Sequence, residues 1–498
     1  MVEDPDSYHP SGDARVAVED LPAPGGTGIA PAEALDARIA AGTAVVGVVG
    51  LGYVGLPLAV ACARCGFAVR GIDVDSAKVE MLAAGDSYVR DVPADAVRAA
   101  LAGGRFLVTA DASVLGACDA VFICVPTPIS PQKEPDTSHI AAAARQVAAH
   151  LRPGQLVVLR STSYPGTTEE VVRPILEATG LRVGHEVFLA FAPERIDPGN
   201  PHYTVEQVPV VVGGCDPQST RLAARLLARL GPHVVAVSSP AAAEMAKLLE
   251  NVFRNVNIAL VNQVAQLCDR MGLDVWEVVE AAATKPYGFM AFWPGLVGGH
   301  CIPVDPYYLA WKAREYDFHM DFIELAARVN EEMPFYVVNR LMAVLYDNAA
   351  QGATRGAAHG AGQGAAQGAG QGTESHPSVP GGGHAGGRQR VLVLGVAFKR
   401  DVDDARYSPA LKVIDLLRRR KVEVLYHDPY IPRIVANGAP LASTPLTAAL
   451  LQDVDCVLIL ADHSCCDYAW IVRNARMVFD VRNATRQVAE GREKIIRL

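Results

Sequence analysis

One short segment of the chain holds a cysteine and a carboxylate at a spacing that suits covalent chemistry: Gly298-Gly299-His300-Cys301-Ile302-Pro303-Val304-Asp305-Pro306. Glycine has no Cβ, so the pair before Cys301 lets the backbone approach a ligand, and the prolines stiffen the segment. A thiol held there can act as a nucleophile if a neighbouring group lowers its pKa or accepts its proton. The alternative is a buried structural cysteine in a tight turn, because cysteine is among the most buried residue types.

A long helix upstream carries polar groups of the kind that such chemistry requires. Residues 241–271 contain neither Gly nor Pro, and Ser239-Pro240 is a typical helix start. The polar residues recur at spacings of three and four and therefore share one face: Glu244, Lys247, Asn251, Arg254 and Asn255. This face is either an ordinary solvated face or one turned toward a cleft between domains, and the pattern leaves both interpretations open. Further helices are predicted at 275–283 and 321–346, with a loop at 284–310 between them.

A dinucleotide-binding fingerprint lies near the start of the predicted folded region. An apolar strand at 44–49 leads into Gly50-Leu51-Gly52-Tyr53-Val54-Gly55, a helix, a second strand and Asp73. The first two glycines allow a tight turn and the approach of a pyrophosphate, and the third lets helix and strand pack closely. Asp73 can accept both ribose hydroxyls and would repel a 2′-phosphate. The sequence therefore predicts NAD as the cofactor in preference to NADP.

Three further apolar strands, at 120–125, 155–160 and 187–191, end in polar residues. They lead to Thr127, Thr162 and the pair Glu194-Arg195. Ligands bind at the carboxyl ends of strands in doubly wound sheets, although Thr and Ser are also ordinary turn residues. Glu194 is the stronger candidate, because a carboxylate directly after an apolar strand would face the crevice.

A second α/β region follows a segment of biased composition. Residues 349–388 are almost entirely Gly, Ala, Gln, His, Ser and Thr, so we predict a disordered insert. The α/β pattern resumes at residue 390 without a GxGxxG motif. Lys399, Arg400 and Arg406 follow the first strand, where an anionic ligand would dock, unless they form a plain surface cluster.

Composition and charge narrow the class of protein. The net charge of -9 argues against broad nucleic-acid binding, and no apolar run reaches the ~18 residues of a membrane span. The N-terminus lacks the pattern of a signal peptide, and the ten cysteines form no spaced framework, which together favour a reducing cytoplasm. The histidines of the insert are too irregularly spaced to indicate a metal site, so no metal is expected.

The chain resembles the UDP-glucose/GDP-mannose dehydrogenase family, and within it the UDP-N-acetyl-D-glucosamine 6-dehydrogenases. The resemblance covers 43–346 and 389–498. Besides the Lys247/Asn251 helix, the matching segments are 50–59 (GLGYVGLPLA), 125–128 (VPTP), 161–167 (STSYPGT), 192–200 (APERIDPGN), 298–308 (GGHCIPVDPYY) and 397–401 (AFKRD). It implies two successive oxidations of a sugar C6 hydroxyl to a carboxylate with two NAD.

The resemblance also implies a role for each candidate residue. Lys247, Asn251 and Asp305 would assist the first oxidation through a bound water and hold the developing oxyanion. Cys301 would capture the aldehyde as a thiohemiacetal that is oxidised to a thioester. Glu194 would be the base for hydrolysis of the thioester, with Thr162 ordering the water.

Binding residues follow from the same comparison of motifs. The cofactor-binding set is Gly50, Gly52, Tyr53, Val54, Gly55, Asp73, Thr127, Thr162 and, near the pyrophosphate, Arg406. The substrate-binding set is Glu194, Arg195, Lys247, Asn251, Gly298, Gly299 and Lys399.

The expected fold is α/β, with two Rossmann-like doubly wound domains joined by a long central helix. The predicted parts are a flexible tail at 1–42 that leads into a short helix at 31–41, an NAD-binding domain at 43–238, a central helical, dimerisation and catalytic-loop domain at 239–348, the insert at 349–388 and a UDP-sugar-binding domain at 389–498. The resemblance implies a UDP-sugar substrate, a homodimer or higher homo-oligomer, and a role in polysaccharide biosynthesis, with neither a nucleic-acid nor a membrane partner.

Departures from the family pattern bear on the sugar. UDP-glucose dehydrogenases have serine and lysine where this chain has His300 and Val304, and a second glutamate where it has Pro198. These differences favour an N-acetylated hexosamine over glucose, and the family resemblance makes UDP-N-acetylglucosamine the first candidate. The segment 292–297 (FWPGLV) is more similar to N-acetylgalactosamine-type relatives, so UDP-N-acetylgalactosamine and UDP-N-acetylmannosamine stay open. The remote alternative is a non-catalytic nucleotide-binding protein.

Overall fold

The structure of the chain is a computed structural model that describes residues 31–195, 207–231, 233–360 and 389–498. It contains two compact units. One comprises the described residues of Met1–Val252 with Val304–Met320, and the other those of Phe253–Pro303 with Asp321–Leu498. The predicted tail up to residue 30 and the insert from residue 361 onward lie outside the described residues.

The first unit is built on an eight-stranded sheet of short, β-branched and apolar strands. These are β1 (Val45–Val49), β2 (Ala68–Ile72), β3 (Phe106–Thr109), β4 (Ala120–Ile123), β5 (Leu156–Leu159), β6 (Phe188–Phe191), β7 (Val210–Gly214) and β8 (Val234–Ala236). Their order is β3-β2-β1-β4-β5-β6-β7-β8, and the pairing of β6 with β7 is antiparallel whereas the other pairs are parallel. The order reverses between β1 and β4, so a crevice for ligands opens at the carboxyl ends of these strands.

Helices cover both faces of this sheet. They are α1 (Pro31–Ala41), α2 (Gly55–Arg64), α3 (Ser76–Ala83), α4 (Ala94–Ala102), α5 (Ser138–Ala149), α6 (Arg173–Glu177) and α7 (Pro217–Ala228). Alternate strand residues enter different cores: Val46 and Phe122 face one hydrophobic cluster, whereas Val121 and Val157 face another. This alternation confirms the predicted doubly wound arrangement, because both faces of a parallel sheet must be buried.

Longer helices occupy the middle of the chain. They are α8 (Pro240–Met271), α9 (Val275–Ala282), α10 (Asp305–Ala313) and α11 (Asp321–Gly360). Helix α8 begins as the sequence predicts, because the Ser239 hydroxyl accepts a hydrogen bond from the Ala242 N–H at 3.2 Å and proline takes the first helical position. The division between the two units falls within α8, at Val252 and Phe253.

The second unit contains a smaller, fully parallel sheet. Its elements are β9 (Arg390–Leu394), α12 (Pro409–Arg419), β10 (Glu423–His427), a hairpin of β11 (Arg433–Ala436) and β12 (Ala439–Ala442), α13 (Ala448–Asp453), β13 (Cys456–Ile459), α14 (Tyr468–Asn474), β14 (Val478–Asp480) and β15 (Ile495–Arg497). The sheet order is β10-β9-β13-β14-β15, with a reversal between β9 and β13. The second predicted Rossmann-like fold is therefore present.

Two predictions for the middle of the chain are wrong. Residues 284–310 were predicted to form a loop, but α10 begins within them at Asp305, because an Asp-Pro pair suits the first turn of a helix. Helix α11 was expected to end at Tyr346 and continues to Gly360, which makes residues 349–360 of the predicted disordered insert helical. The frequent alanines of 349–360 favour this extension.

None of the described helices combines the length and the apolar character that a bilayer crossing needs. In the same part of the chain, His, Cys, Asp and Glu side chains form no cluster of three that a metal ion requires.

Candidate active site

The glycine-rich loop follows β1 at the reversal of the first sheet. Gly50 has a φ of 89°, and a Cβ there would lie 2.6 Å from the carbonyl oxygen of Cys124. A Cβ at Gly55 would lie 1.8 Å from the carbonyl oxygen of Gly50, whereas nothing lies within 4 Å of one built at Gly52. Gly50 and Gly55 thus serve the packing of the loop, and the open side of Gly52 fits the approach of a pyrophosphate.

Asp73 follows β2 beside this loop and is buried. Its Oδ2 accepts a hydrogen bond from the Leu51 N–H at 2.9 Å, and its Oδ1 accepts one from the Asp75 N–H at 3.0 Å. Of the other fingerprint residues, Tyr53 is exposed and Val54 is half-buried directly before α2. The Asp73 carboxylate fixes the loop and still has lone pairs that can accept hydrogen bonds from ribose hydroxyls.

The residues after β4 and β5 lie at the same sheet edge. The hydroxyl of Tyr308, on α10, donates a hydrogen bond to the carbonyl of Thr127. The Ser161 hydroxyl donates to the carbonyl of Val125 at 2.7 Å, which ties the two strand ends together. Thr162 comes next in the chain and is half-buried.

Glu194, three residues beyond β6, is held from two sides. Its Oε2 forms an ion pair with Nη2 of Arg160 at 2.6 Å, and its Oε1 accepts the Arg195 N–H at 2.8 Å. The Arg195 side chain itself pairs with Glu250 of α8 at 2.7 Å and donates to the carbonyl of Pro209 at 2.6 Å. The strand end that carries Glu194 is thus linked to α8.

The polar stripe of α8 is mostly buried, so it is not an ordinary solvated face. Glu244 is 1% exposed, Asn255 2% and Asn251 7%, while Lys247 is half-buried and only Arg254 is exposed. The structure therefore decides between the two interpretations of the stripe in favour of a face turned inward.

Glu244 connects α8 to the segment after β5. It accepts hydrogen bonds from the N–H of Gly166 at 2.6 Å, and from the N–H and the hydroxyl of Thr168 at 2.9 and 2.6 Å. Burial raises the pKa of Glu244 to about 7, although these hydrogen bonds act in the opposite direction. The sequence identified Glu244 only as a member of the stripe, because its partners are distant in the chain.

Asp305 meets this stripe at Asn251, about two turns beyond Glu244 along the helix. It is 3% exposed, and its Oδ2 accepts a hydrogen bond from Nδ2 of Asn251 at 2.6 Å. Burial raises the pKa of Asp305 to about 6, while the charge of Lys247 and the Asn251 hydrogen bond lower it. The predicted group of Lys247, Asn251 and Asp305 is therefore brought together, and a carboxylate with this pKa suits proton transfer near neutral pH.

The raised pKa of Asp305 predicts a pH dependence of stability. The folded state binds more protons than the unfolded state between about pH 4 and pH 6, so the stabilisation present below this window is lost as the pH rises through it. Asp305→Asn should remove this loss and be more stable than the parent at pH 8, by about 3 kcal/mol, and similar to it at pH 4. Urea unfolding at both pH values measures the difference.

Asp95→Asn is a matched control for the change of charge, because the Asp95 side chain is 90% exposed. If the free energy of unfolding of the parent and of Asp305→Asn depended on pH in the same way, the raised pKa of Asp305 would be contradicted.

The Cys301 segment lies in the second unit, against the loop that follows β9. A Cβ at Gly298 would lie 2.5 Å from Cδ of Pro409, and one at Gly299, where φ is 94°, would lie 2.9 Å from the Phe398 ring. These glycines therefore allow the two loops to pack backbone against side chain. Cys301 itself is exposed, which contradicts the alternative of a buried structural cysteine.

His300 adds a polar link between the same two loops. Its Nε2 lies 3.1 Å from Oδ2 of Asp404, and its ring meets the rings of Phe398 and Tyr407 edge to face. Nη2 of Arg406 also pairs with Asp404, at 2.7 Å. Burial raises the pKa of Asp404, but the hydrogen bonds from His300 and Arg406 outweigh it and hold the pKa well below its usual range.

A small cavity lies at the reversal of the second sheet. Lys399, Arg400 and Arg482 line it together with apolar residues, among them Leu296 and Leu460. Three cations at the carboxyl ends of parallel strands suit a diphosphate. Of the predicted cationic cluster, Lys399 and Arg400 therefore line a cavity, whereas Arg406 does not line it and pairs with Asp404.

Three polar residues of the site were missed from the sequence: Arg160, Asp404 and Arg482. Arg160 and Arg482 each follow a strand, β5 and β14, so the rule that ligands bind at strand ends would have found them. No local pattern indicated Asp404, because its role in the site is the contact with His300, which lies about 100 residues away in the chain.

The candidate residues fall into both units. Glu194, Lys247, Asn251 and Asp305 belong to the first, and Cys301 belongs to the second.

Family models match most of the chain. Residues 44–230 match the NAD binding domain of the UDP-glucose/GDP-mannose dehydrogenase family, residues 241–332 its central domain, and residues 392–487 its UDP binding domain.

Individual relatives match over nearly their full length. A UDP-N-acetyl-D-glucosamine 6-dehydrogenase from Pseudomonas aeruginosa is 34% identical over 78% of this chain and 83% of its own. A UDP-N-acetyl-D-mannosamine dehydrogenase from Pyrococcus horikoshii is 33% identical over 84% of this chain and 89% of its own. The solved structure of a UDP-D-ManNAc dehydrogenase from Pyrococcus horikoshii superimposes with a TM-score of 0.74 at 30% identity, covering 91% of this chain and 98% of that one.

Proposed function

Because the chain belongs to the UDP-glucose/GDP-mannose dehydrogenase family, we propose that it oxidises the C6 hydroxyl of UDP-N-acetylglucosamine to a carboxylate in two steps. It is an NAD-dependent nucleotide-sugar dehydrogenase, so the proposal concerns the sugar and the residues that act on it. The observation that carries it is the exposed thiol of Cys301, four residues before the buried Asp305 that binds Asn251. A thiol nucleophile explains how one enzyme takes an alcohol past the aldehyde.

NAD, when bound, accepts a hydride from C6 in each oxidation. In the first, Asp305 accepts the hydroxyl proton through a bound water, while Lys247 and Asn251 stabilise the developing oxyanion. The thiol of Cys301 then adds to the aldehyde carbon and loses its proton, and loss of the second hydride leaves a thioester. Glu194 deprotonates a water that Thr162 orders; this water attacks the thioester carbon, the C–S bond breaks, and the uronate leaves.

We propose separate sets of residues for binding NAD and for binding the UDP-sugar. Gly50, Gly52, Tyr53, Val54, Gly55, Asp73, Thr127, Thr162 and Arg406 hold NAD. Arg195, Gly298, Gly299 and Lys399 join the catalytic residues in holding the UDP-sugar. We assign NAD to residues 43–238, the central part to 239–348 and UDP to 389–498.

The choice of sugar rests on residues beside Cys301 and Asp305. Val304 is buried and uncharged where UDP-glucose dehydrogenases have a lysine, and His300 is engaged with Asp404 where they have a serine. UDP-N-acetylmannosamine is the second candidate, because several similar proteins are named as its dehydrogenases.

A panel of UDP-sugars with NAD or NADP tests the proposal. UDP-N-acetylglucosamine should give the highest kcat/KM and two NADH for each uronic acid detected by mass spectrometry. Preference for the manno or galacto epimer, or for UDP-glucose, would overturn the choice of sugar. Binding of NAD and UDP without NADH from any sugar would favour the non-catalytic alternative.

An apolar stripe on the second half of α8 supports a homodimer. Phe253, Leu260, Leu267 and Met271 are 47–61% exposed and recur at spacings of seven, seven and four, so they share one face. We propose that this face packs on the same face of a second copy, since most homodimers are two-fold symmetric.

Leu260→Glu combined with Leu267→Glu should yield a monomer, because it places charge in the core of the interface. Light scattering after size exclusion measures the mass. Val435→Glu is the control, since Val435 is 66% exposed outside the stripe. A double variant with the mass of the parent would contradict the assignment of the interface.

We also place the enzyme in the cytoplasm. None of its ten cysteines forms a disulfide, as expected in a reducing compartment.

A further inference from the structure

Arg160 is a buried cation at the edge of the first sheet. It directly follows β5, and its side chain is only 4% exposed. Strands β5 and β6 pair in parallel with Leu159 opposite Phe191, so Arg160 and Glu194 extend from neighbouring strand ends. Their ion pair, at 2.6 Å between Nη2 and Oε2, therefore lies at the carboxyl edge of the sheet.

The charge of Arg160 has one compensating partner in the described part of the chain, the Glu194 carboxylate. The nearby thiols of Cys62 and Cys124 do not supply negative charge, because burial raises the pKa of Cys62 above its usual range and that of Cys124 to about 12. An ion pair of this kind favours the ionised form of Glu194, which is the form that accepts a proton.

Two donors of Arg160 are left over. Nε and Nη1 are buried and make no hydrogen bond within the described residues. Buried donors are normally satisfied, and where the protein supplies no acceptor a water commonly does so. Because Nη1 and Nη2 belong to one planar group, a water on Nη1 would lie next to the Glu194 carboxylate.

We propose that Arg160 is a positioning residue for hydrolysis of the thioester: it holds Glu194 ionised and oriented, and its spare donors bind the water that Glu194 activates. The step is the attack of this water on the thioester carbonyl carbon. One water proton goes to Glu194, the C–S bond to Cys301 breaks, and the thiolate is released with the uronic acid, whose carboxyl proton passes to solvent. The inference rests on the proposed function, and it adds a residue that acts only after both hydride transfers.

Arg160→Met and Arg160→Lys test the proposal on the intact protein. With NAD and the best sugar of the panel, Arg160→Met should keep a burst of two NADH per active site, followed by turnover slowed roughly 10- to 100-fold. Intact-protein mass spectrometry after acid quenching should show the acyl adduct on Cys301. The turnover of Arg160→Lys should lie between those of the parent and of Arg160→Met, because lysine keeps the positive charge but lacks the planar guanidinium group.

Arg221 provides a matched control. Its side chain is 9% exposed, its Nη1 pairs with Asp36 at 2.6 Å, and its Nε and Nη2 also lack a described partner. Arg221→Met removes the same kind of buried cation away from Glu194, so it should show no acyl adduct at steady state.

Other outcomes would overturn either the positioning role of Arg160 or the proposed function. Parental turnover without an adduct in Arg160→Met, or equal loss of the burst and of turnover, would overturn the positioning role. If Arg160→Met does not fold, Arg160→Lys decides, because parental turnover without an adduct in that variant also overturns it. Absence of NADH with the parent protein would instead refute the proposed function.

Discussion

Replacement of Cys301 by serine is expected to abolish formation of the uronic acid, with a loss of roughly 10³-fold or more in its rate. Serine matches cysteine closely in size, but its hydroxyl is far less acidic and cannot form the thioester from which the acid is released. The first oxidation does not need the thiol, so NADH should appear at no more than one per sugar oxidised. Product analysis by mass spectrometry, together with NADH absorbance, gives both quantities.

The same variant should fold normally and bind NAD as the parent does. Cys301 is exposed, and substitutions at exposed positions usually change stability by less than about 0.5 kcal/mol. Cys465→Ser is the natural control, since Cys465 is the other exposed cysteine and lies beyond β13. Uronic acid production at the parental rate by Cys301→Ser would exclude the covalent mechanism.

Two glycines of one loop should respond in opposite ways to the same substitution. Gly55→Ala should destabilise the first unit by at least about 3 kcal/mol, because the new methyl group would lie 1.8 Å from a backbone oxygen that cannot move aside. Gly52→Ala should fold, because nothing of the protein lies within 4 Å of the added atom. It should weaken NAD binding roughly 10- to 100-fold, since the methyl group occupies the approach of the pyrophosphate.

Thermal unfolding and titration with NAD separate the two effects. Gly52→Ala should have the melting temperature of the parent, and Gly55→Ala a much lower one. Parental NAD affinity in Gly52→Ala would mean that the cofactor does not approach the loop at this glycine.

The sequence was sufficient wherever a signal was local. The cap and length of α8 predicted its start and end, and the spacing of strand, glycines and Asp73 predicted the Rossmann-like fold. The stripe on α8 was ambiguous, because periodicity tells which residues share a face but not what covers that face. Helix α10 is only two to three turns long, which gives too few residues for a periodic pattern to be recognised.

The contacts that define the site depend on residues far apart in the chain. Arg160 pairs with Glu194 because β5 and β6 are neighbours, and Asn251 binds Asp305 because α10 returns to α8. Neither pairing leaves a local pattern. The family resemblance had grouped Asn251 with Asp305, whereas the pairing of Arg160 with Glu194 came from the structure alone.

The packing of Gly298 and Gly299 against Phe398, together with the pair of His300 and Asp404, couples the Cys301 segment to the loop that follows β9, where we propose that the diphosphate binds. Thermodynamic linkage then requires reciprocity between them. In the proposed mechanism, any free energy by which a bound diphosphate orders the Cys301 thiol is matched, in equal amount, by tighter binding of the diphosphate once the thiol is acylated. The proposed covalent intermediate would in this way retain its own nucleotide until hydrolysis releases both.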